Sequence, residues 1–210
     1  MDVEAARESL VDALARRRDV TDESTLAAMR SVPRHEFVPE SRRANAYADR
    51  PLPIGDDATI SAPHMVAIMV DALDLSPGET VLEVGTGCGY HAAVTAEVVG
   101  SENVFSVEYS ERLAGEARER LARLGYGDVS VRVGDGREGW PENAPYDAAY
   151  LTCAAREFPE AVVEQVHPGG RLLGPIGTTR QELVHATRRP DGSLERDGRG
   201  GVRFVRMQGR

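Results

Sequence analysis

From residue 79 the sequence alternates short β-branched runs with longer helix-forming stretches, and this alternation restricts the fold more than any other feature. "TVLEV" precedes a helical pattern from about Tyr90 to Val99, "NVFSVE" precedes one from about Glu111 to Gly125, and "VSVRV" leads into a loop. "YDAAYLT" follows, then a short helical stretch near Pro159 to Val166 and the run "GRLLGPIG". Such alternation is the signature of βαβ units, so the expected class is α/β: a Rossmann-like, mostly parallel, doubly wound sheet covered on both faces.

The flanks follow other rules. In "VEAARESLVDALARR", Val3, Ala6, Leu10 and Leu14 fall on one helical stripe; Thr21 or Asp22 can cap a second helix reaching Arg30, which "SVPRHEFVP" then breaks. Near the other end, Pro-Asp-Gly-Ser between alternating segments predicts a hairpin that adds antiparallel strands to the sheet edge, with the glycine-rich "DGRGG" read as a mobile turn. The 210 residues, 41% of them hydrophobic, suit one domain around one core. Within it we expect an N-terminal helical extension at 1–50, a covering segment and helix at 51–77, the α/β core at 78–180 and the C-terminal hairpin at 181–210.

A formal charge of −9 argues against broad attachment to a nucleic-acid backbone. All 25 basic residues are arginine, a bias that suits a high-salt or lysine-poor proteome. No run approaches the roughly 18 apolar residues of a membrane span, and "MDVEAARESLVDALARRR" lacks the basic start and cleavage site of a signal peptide. The expectation is a cytoplasmic protein, monomeric, with neither membrane nor nucleic acid as partner. Cys88 and Cys153 are too few for a disulfide scaffold and have no metal-ligand spacing, so no metal is expected.

"VLEVGTGCGY" places Gly85, Gly87 and Gly89 between an apolar strand and a helix, where glycines permit a sharp turn and bring a ligand close to backbone amides at a helix N-terminus. The spacing is one residue short of the dinucleotide motif. Glu83 precedes the loop, Glu108 ends the next strand where it can accept from both ribose hydroxyls, and Asp135 in "VRVGDG" ends the third, able to meet an adenine amine. Each acid also has a plainer reading, as a helix-start or turn residue. Three acids at one sheet edge would repel the pyrophosphate of NAD and suit a phosphate-free nucleoside whose other charges are cationic. S-adenosylmethionine fits that description.

Larger motifs then make the chain resemble the protein-L-isoaspartate (D-aspartate) O-methyltransferases. "VPRHEFVP", "AYADRPLPIG", "TISAPHM", "VLEVGTGCGY", "LARLGYGDVSVRVGDGREGWPENAPYDAAYLT" and "PGGRLLGPIG" occur in the family's order over about residues 30 to 177. The resemblance implies the S-adenosylmethionine-dependent methyltransferase fold, and methyl transfer to the carboxylate of isoaspartyl residues in damaged proteins and peptides, the first step of their repair. It implies Ser61 as the active-site serine, with Thr59, Ile60 and His64 in the same covering segment. Glu83, Gly85, Thr86, Gly87 and Gly89 correspond to the loop at the methionine end, Glu108 to the ribose acid, Asp135 and Gly136 to the adenine contact, and Thr152 to the threonine of a "VTAAA"-like segment. Two departures bear on substrate specificity: Asp56-Asp57-Ala58 precedes "TISAPHM" where Gly-Gln or Gln-Ala is usual, adding negative charge, and Arg206 stands where the tail often has proline.

Methylating a carboxylate needs no strong base, so position and desolvation are what an enzyme must supply. Ser61 could donate a hydrogen bond to the acceptor; it is also well placed as N-cap of a helix starting at Pro63, and the two roles are compatible. By the same chemistry His64 reads as an orienting residue rather than a base, the two cysteines as free buried thiols, "PRH" at 33–35 as a structural turn and "RRR" at 16–18 as a solvated helix end. A related methyltransferase with another acceptor, or a non-catalytic module binding S-adenosylmethionine, fits the same residues.

Overall fold

Two aspartates set the starts of the first two helices. In the computed structural model, which describes residues 2–209, α1 (Val3–Leu14) is capped by Asp2, whose carboxylate accepts from the amides of Glu4 and Ala5. In α2 (Glu23–Ser31) Asp22, rather than Thr21, accepts from Ser24 and Thr25. Leu10 and Leu14 of the expected stripe are buried together with Val11, while Val3 and Ala6 stay partly open. Two 3₁₀ turns, Arg34–Phe37 and Glu40–Asn45, carry the chain to a small antiparallel hairpin of β1 (Leu52–Gly55) and β2 (Ala58–Ile60). Its turn holds Asp56 and Asp57 at φ 50° and 55°, the left-handed pair a tight hairpin turn requires and that aspartate tolerates better than most residues. Helix α3 (Pro63–Leu73) follows directly.

The main sheet has seven strands in the order β5-β4-β3-β6-β7-β8-β9. Its parallel part comprises β3 (Val81–Val84), β4 (Val104–Glu108), β5 (Ser130–Val133), β6 (Tyr146–Leu151) and β7 (Val166–Gly177), separated by α4 (Tyr90–Val99), α5 (Glu111–Arg123) and α6 (Glu160–Gln165). From β5 the chain returns to place β6 on the far side of β3. Strand order thus reverses about β3, and the crevice outside the carboxyl ends there is where open α/β sheets hold ligands. All four residues of β3 are buried, as are nine of the ten in α4, so the centre of the sheet is the centre of the core.

The antiparallel end is β8 (Gln181–Arg188) and β9 (Leu194–Val202), paired to β7 and to each other. Here one expectation fails. Asp197–Gly201, read as a turn, lies inside β9. The pairing with β8 continues through the glycines, with an irregularity opposite Glu182–Val184, and the Glu182 carboxylate fills the space where a side chain on Gly198 would sit. No helix among the described residues is long and apolar enough to cross a membrane.

Candidate functional site

A cleft opens at the carboxyl ends of β3, β4 and β6. Its wall takes residues from distant parts of the chain: Ala58–Ser61 with Val66, Val84–Cys88 with Tyr90 and His91, Val107–Tyr109, Thr152–Cys153 and Val205–Gln208, with Gly136 beside them. After β3 the chain turns through Gly85 at φ +99°. A Cβ there would lie 2.3 Å from Thr152 Oγ1, and the Thr152 hydroxyl donates to the carbonyl of Gly85 at 2.5 Å, so Thr152 locks the turn from behind. Gly87 and Thr86 line the cleft, but Gly89 does not: it starts α4 in a left-handed conformation and lets Leu121 of α5 approach to 3.2 Å from a hypothetical Cβ.

Glu108 ends β4 on the cleft wall, its Oε2 accepting from Gly87 N at 2.8 Å and its Oε1 from Ser110 N at 2.9 Å. The carboxylate therefore ties together the turns that follow β3 and β4. Glu83, expected in the site, is elsewhere. Parallel register sets Ser106, Glu83 and Tyr150 side by side on β4, β3 and β6, all facing one side of the sheet. Glu83 is fully buried there, accepting from Ser106 Oγ and from Tyr150 OH at 2.9 Å, and burial pushes its carboxyl up to about 8. Ser106 also shares a hydrogen bond with Thr86 Oγ1, so Glu83 reaches the cleft only through two hydroxyls.

Asp135 also stands outside the wall. It caps the 3₁₀ turn Gly136–Glu138 by accepting from Arg137 N and pairs with the Arg137 guanidinium at 2.9 Å, leaving Gly136 to face the cleft. Thr59, Ile60 and Ser61 line the cleft, whereas the first turn of α3 carries His64 away, onto Asp49 at 2.8 Å. Ser61 is not the cap of that helix. Ala62 holds the N-cap position with no side-chain bond, because Pro63 begins the helix and removes one amide that would need a partner. The Ser61 hydroxyl therefore has no protein partner among the described residues.

What fixes Ser61 is its main chain. Arg34, fully buried, donates from Nη2 to Ser61 O at 2.7 Å and from Nε to Ala46 O at 2.8 Å, with its guanidinium 4.8 Å from the centre of the Tyr90 ring. "PRH" is thus a structural turn, as expected, and its arginine holds the covering segment, a role no sequence feature marks. The tail is a second such case. Val205 O accepts from Ala154 N at 2.7 Å and Met207 N donates to Ala154 O at 2.9 Å, so Val205–Gln208 form one side of the cleft. The alternation in "VRFVRM" signals an extended segment; nothing in it names a partner fifty residues earlier. Tyr109, 42% exposed beside Glu108, is a further wall residue that no motif marked.

The remaining features sort simply. Cys88 and Cys153 are free thiols on the wall, and burial pushes both up, Cys153 to about 12, so they stay protonated at neutral pH. Asp56 pairs with Arg112 at 2.9 Å and accepts from Ser110 Oγ, and neither it nor Asp57 lines the cleft. The extra charge before "TISAPHM" is therefore held on the outer face, partly neutralised.

The family model for protein-L-isoaspartate (D-aspartate) O-methyltransferases matches residues 5–210. The chain belongs to that family. Protein-L-isoaspartate O-methyltransferase 2 of Archaeoglobus fulgidus is 50% identical over 210 residues, covering 100% of this chain and 95% of its own length. The Methanopyrus kandleri protein-L-isoaspartate O-methyltransferase is 48% identical, over 97% and 92%. Among solved structures, a protein-L-isoaspartate O-methyltransferase superposes with a TM-score of 0.89 at 33% identity, covering 97% of this chain and 66% of that longer one. A β-aspartate methyltransferase from Plasmodium falciparum, in complex with S-adenosyl-L-homocysteine, gives 0.83 at 26% identity over 96% and 98%. The fold is accordingly that of the S-adenosylmethionine-dependent methyltransferases: a mostly parallel sheet with antiparallel C-terminal strands and an N-terminal helical part.

Proposed function

We propose that this family member transfers the methyl group of S-adenosylmethionine to the carboxylate of L-isoaspartyl, and D-aspartyl, residues in damaged proteins. The observation that carries the reading is the meeting, in one cleft, of the partner-free Ser61 hydroxyl with the Glu108 carboxylate and the amides of the glycine loop. The wall also passes a test of fit for the cofactor. Among the described residues Glu108 and Arg206 are the only ones of the wall charged at neutral pH, so a carboxylate sits beside the glycine loop and these residues form no cluster of cations for a pyrophosphate.

Glu108 would accept from the ribose hydroxyls, Gly136 would meet the adenine edge, and Tyr109 would lie against the nucleoside. Gly85–Gly87, held by Thr152, would take the methionine end, with Thr59 and Ile60 covering it. Bound S-adenosylmethionine supplies a methyl group on a positively charged sulfur. The acceptor carboxylate is ionised at neutral pH, so no residue needs to remove a proton, and the neutral thiols of Cys88 and Cys153 do not compete as nucleophiles. The protein's task is to hold the carboxylate in line and replace its lost water. Ser61 donates one hydrogen bond for that purpose, its position set through Arg34.

We take the enzyme to act as a monomer in the cytoplasm, and a net charge of −9 favours protein rather than nucleic-acid acceptors. Methyl transfer from labelled cofactor to two peptides that differ only in one isoaspartate or aspartate tests the reading. Labelling confined to the isoaspartyl peptide is the expected result; equal labelling of both, or of neither, refutes it.

A further inference from the structure

Acidic residues outnumber basic ones 34 to 25, and arginines in several parts of the fold lie against one: Arg112, Arg132, Arg171 and Arg196 each pair with a carboxylate at 3.0 Å or less. Arg180, Arg203 and Arg206 do not. All three are exposed, and among the described residues none of their side chains has a hydrogen-bond or ion-pair partner. They line one groove of about 850 Å³ between the turn joining β7 to β8 and the segment that follows β9, and no described residue of its wall is acidic.

The groove meets the cleft at Arg206, which stands on the wall of both. Main-chain bonds from Val205 and Met207 to Ala154 hold this stretch extended, and Met207 packs against a buried cluster, so the alternation of an extended chain turns the Arg206 side chain the other way, outward. Gln181 fixes the stretch from the groove side. Its Oε1 accepts from Phe204 N at 2.6 Å and its Nε2 donates to Phe204 O at 3.1 Å, while the Phe204 ring packs against the core. The three cations are therefore carried on anchored main chain. A neighbouring groove that also takes in Arg206 contains Glu157 and Glu160 and lacks this single sign.

Like charges around one concave surface repel one another and concentrate anions there. The net charge of −9 repels an acidic molecule from the protein as a whole, so such attraction is local to this groove. A polypeptide with its acceptor residue in the cleft continues out of it at about 3.3 Å per extended residue, which brings side chains a few residues away to the wall that Arg206 shares.

We propose that Arg180, Arg203 and Arg206 form a subsite for acidic side chains flanking the acceptor residue, so that the enzyme prefers damaged sites in acidic surroundings. The assignment rests on the function proposed above and adds to it the class of polypeptide preferred. It also gives Arg206, which stands where the family's tail often has proline, a role in specificity.

Three isoaspartyl peptides of equal length test it, with glutamates on the N-terminal side of the acceptor, glutamates on the C-terminal side, or glutamines at all those positions. At low salt one glutamate peptide has a KM about three- to tenfold below that of the glutamine peptide, and about 1 M salt brings the two within about twofold. Arg180→Gln combined with Arg203→Gln abolishes the advantage, with the melting temperature and kcat/KM for the glutamine peptide unchanged; Arg206→Gln abolishes it as well. Glutamate peptides with no advantage, or an advantage that survives in the double variant, overturn the proposal.

Anisotropy of the same peptides, labelled, on protein saturated with S-adenosylhomocysteine reads the groove without turnover. Tighter binding of a glutamate peptide when no peptide is methylated would refute the function and uphold the subsite; methylation of all three with equal affinity would do the reverse. A single-stranded oligonucleotide that displaces the glutamate peptide at lower concentration than the unlabelled peptide does would overturn the subsite in favour of nucleic acid.

Discussion

The floor and the cover of the cleft are built on different principles. The floor, at the ends of β3, β4 and β6, is fixed by strand register and short-range turns: Glu108 bonds to Gly87 and Ser110, and Thr152 to Gly85, all at the carboxyl edge of one sheet. The cover, made of Ala58–Ser61 and the tail, is tied by contacts between distant segments: Arg34 to Ser61, Asp56 to Arg112, Gln208 to Asp56. The floor can be altered only at the cost of the cofactor, whereas the cover can change its tethers and thereby its acceptor.

The largest effect should come from the floor. Glu108→Ala removes the acceptor of two amides as well as the ribose contact proposed for it, and the Kd for S-adenosylhomocysteine should rise by about a hundredfold or more; calorimetry showing less than tenfold would break the division. Next is the tether of the cover. Arg34→Met leaves one buried and one part-buried carbonyl without this donor and should cost about 2–4 kcal/mol in urea unfolding, with kcat/KM falling far more than cofactor affinity. Ser61→Ala should lower kcat/KM for an isoaspartyl peptide by about ten- to a hundredfold and leave melting temperature and cofactor affinity unchanged, since the hydroxyl has no structural bond to lose.

A smaller effect, with a sign, belongs to Glu83. Its folded value near 8 lies above the ordinary 4.5, so in the unfolded chain the proton leaves first. Stability from this group is complete below pH 4.5 and is lost as pH rises toward 8. Glu83→Gln should therefore gain in melting temperature over wild type as pH goes from 5 to 8; a constant difference across that range would contradict the burial argument. The smallest is Asp56→Ala. With the charge paired on the outer face, the peptide KM should stay within twofold, and a several-fold fall would mean that this charge reaches the acceptor after all.

The same division explains what the sequence disclosed. Strands β3 to β7 and their helices were legible because each carries its own period and flanking turn residues; Tyr90–Val99 is bounded as expected. The glycine loop and Glu108 were legible because motif and site are contiguous there. Glu83 and Asp135 stand off the cleft wall for a local reason: being near the end of a strand does not say which face a side chain takes or whether it caps the next turn. His64 stands off the wall because its amide and its ring are both bonded to Asp49. Arg34 and the tail were invisible in their roles, since a guanidinium inside a core and an extended segment bridged to Ala154 are decided by partners 12 to 53 residues away. The hairpin was foreseen, but the glycines of β9 concealed a strand whose pairing, rather than propensity, sets its length.

The Arg34 tether has a thermal consequence. It joins the 3₁₀ turn at Arg34–Phe37, a short element outside the sheet, to the serine on the cleft wall, and it is the only side chain among the described residues hydrogen-bonded to Ser61. Short elements of this kind open at lower free energy than a central sheet. On warming, turnover would fade while the far-ultraviolet signal of the strands still reports a folded protein, and cooling would restore it: the working temperature of the enzyme is then set by one arginine and not by its melting point.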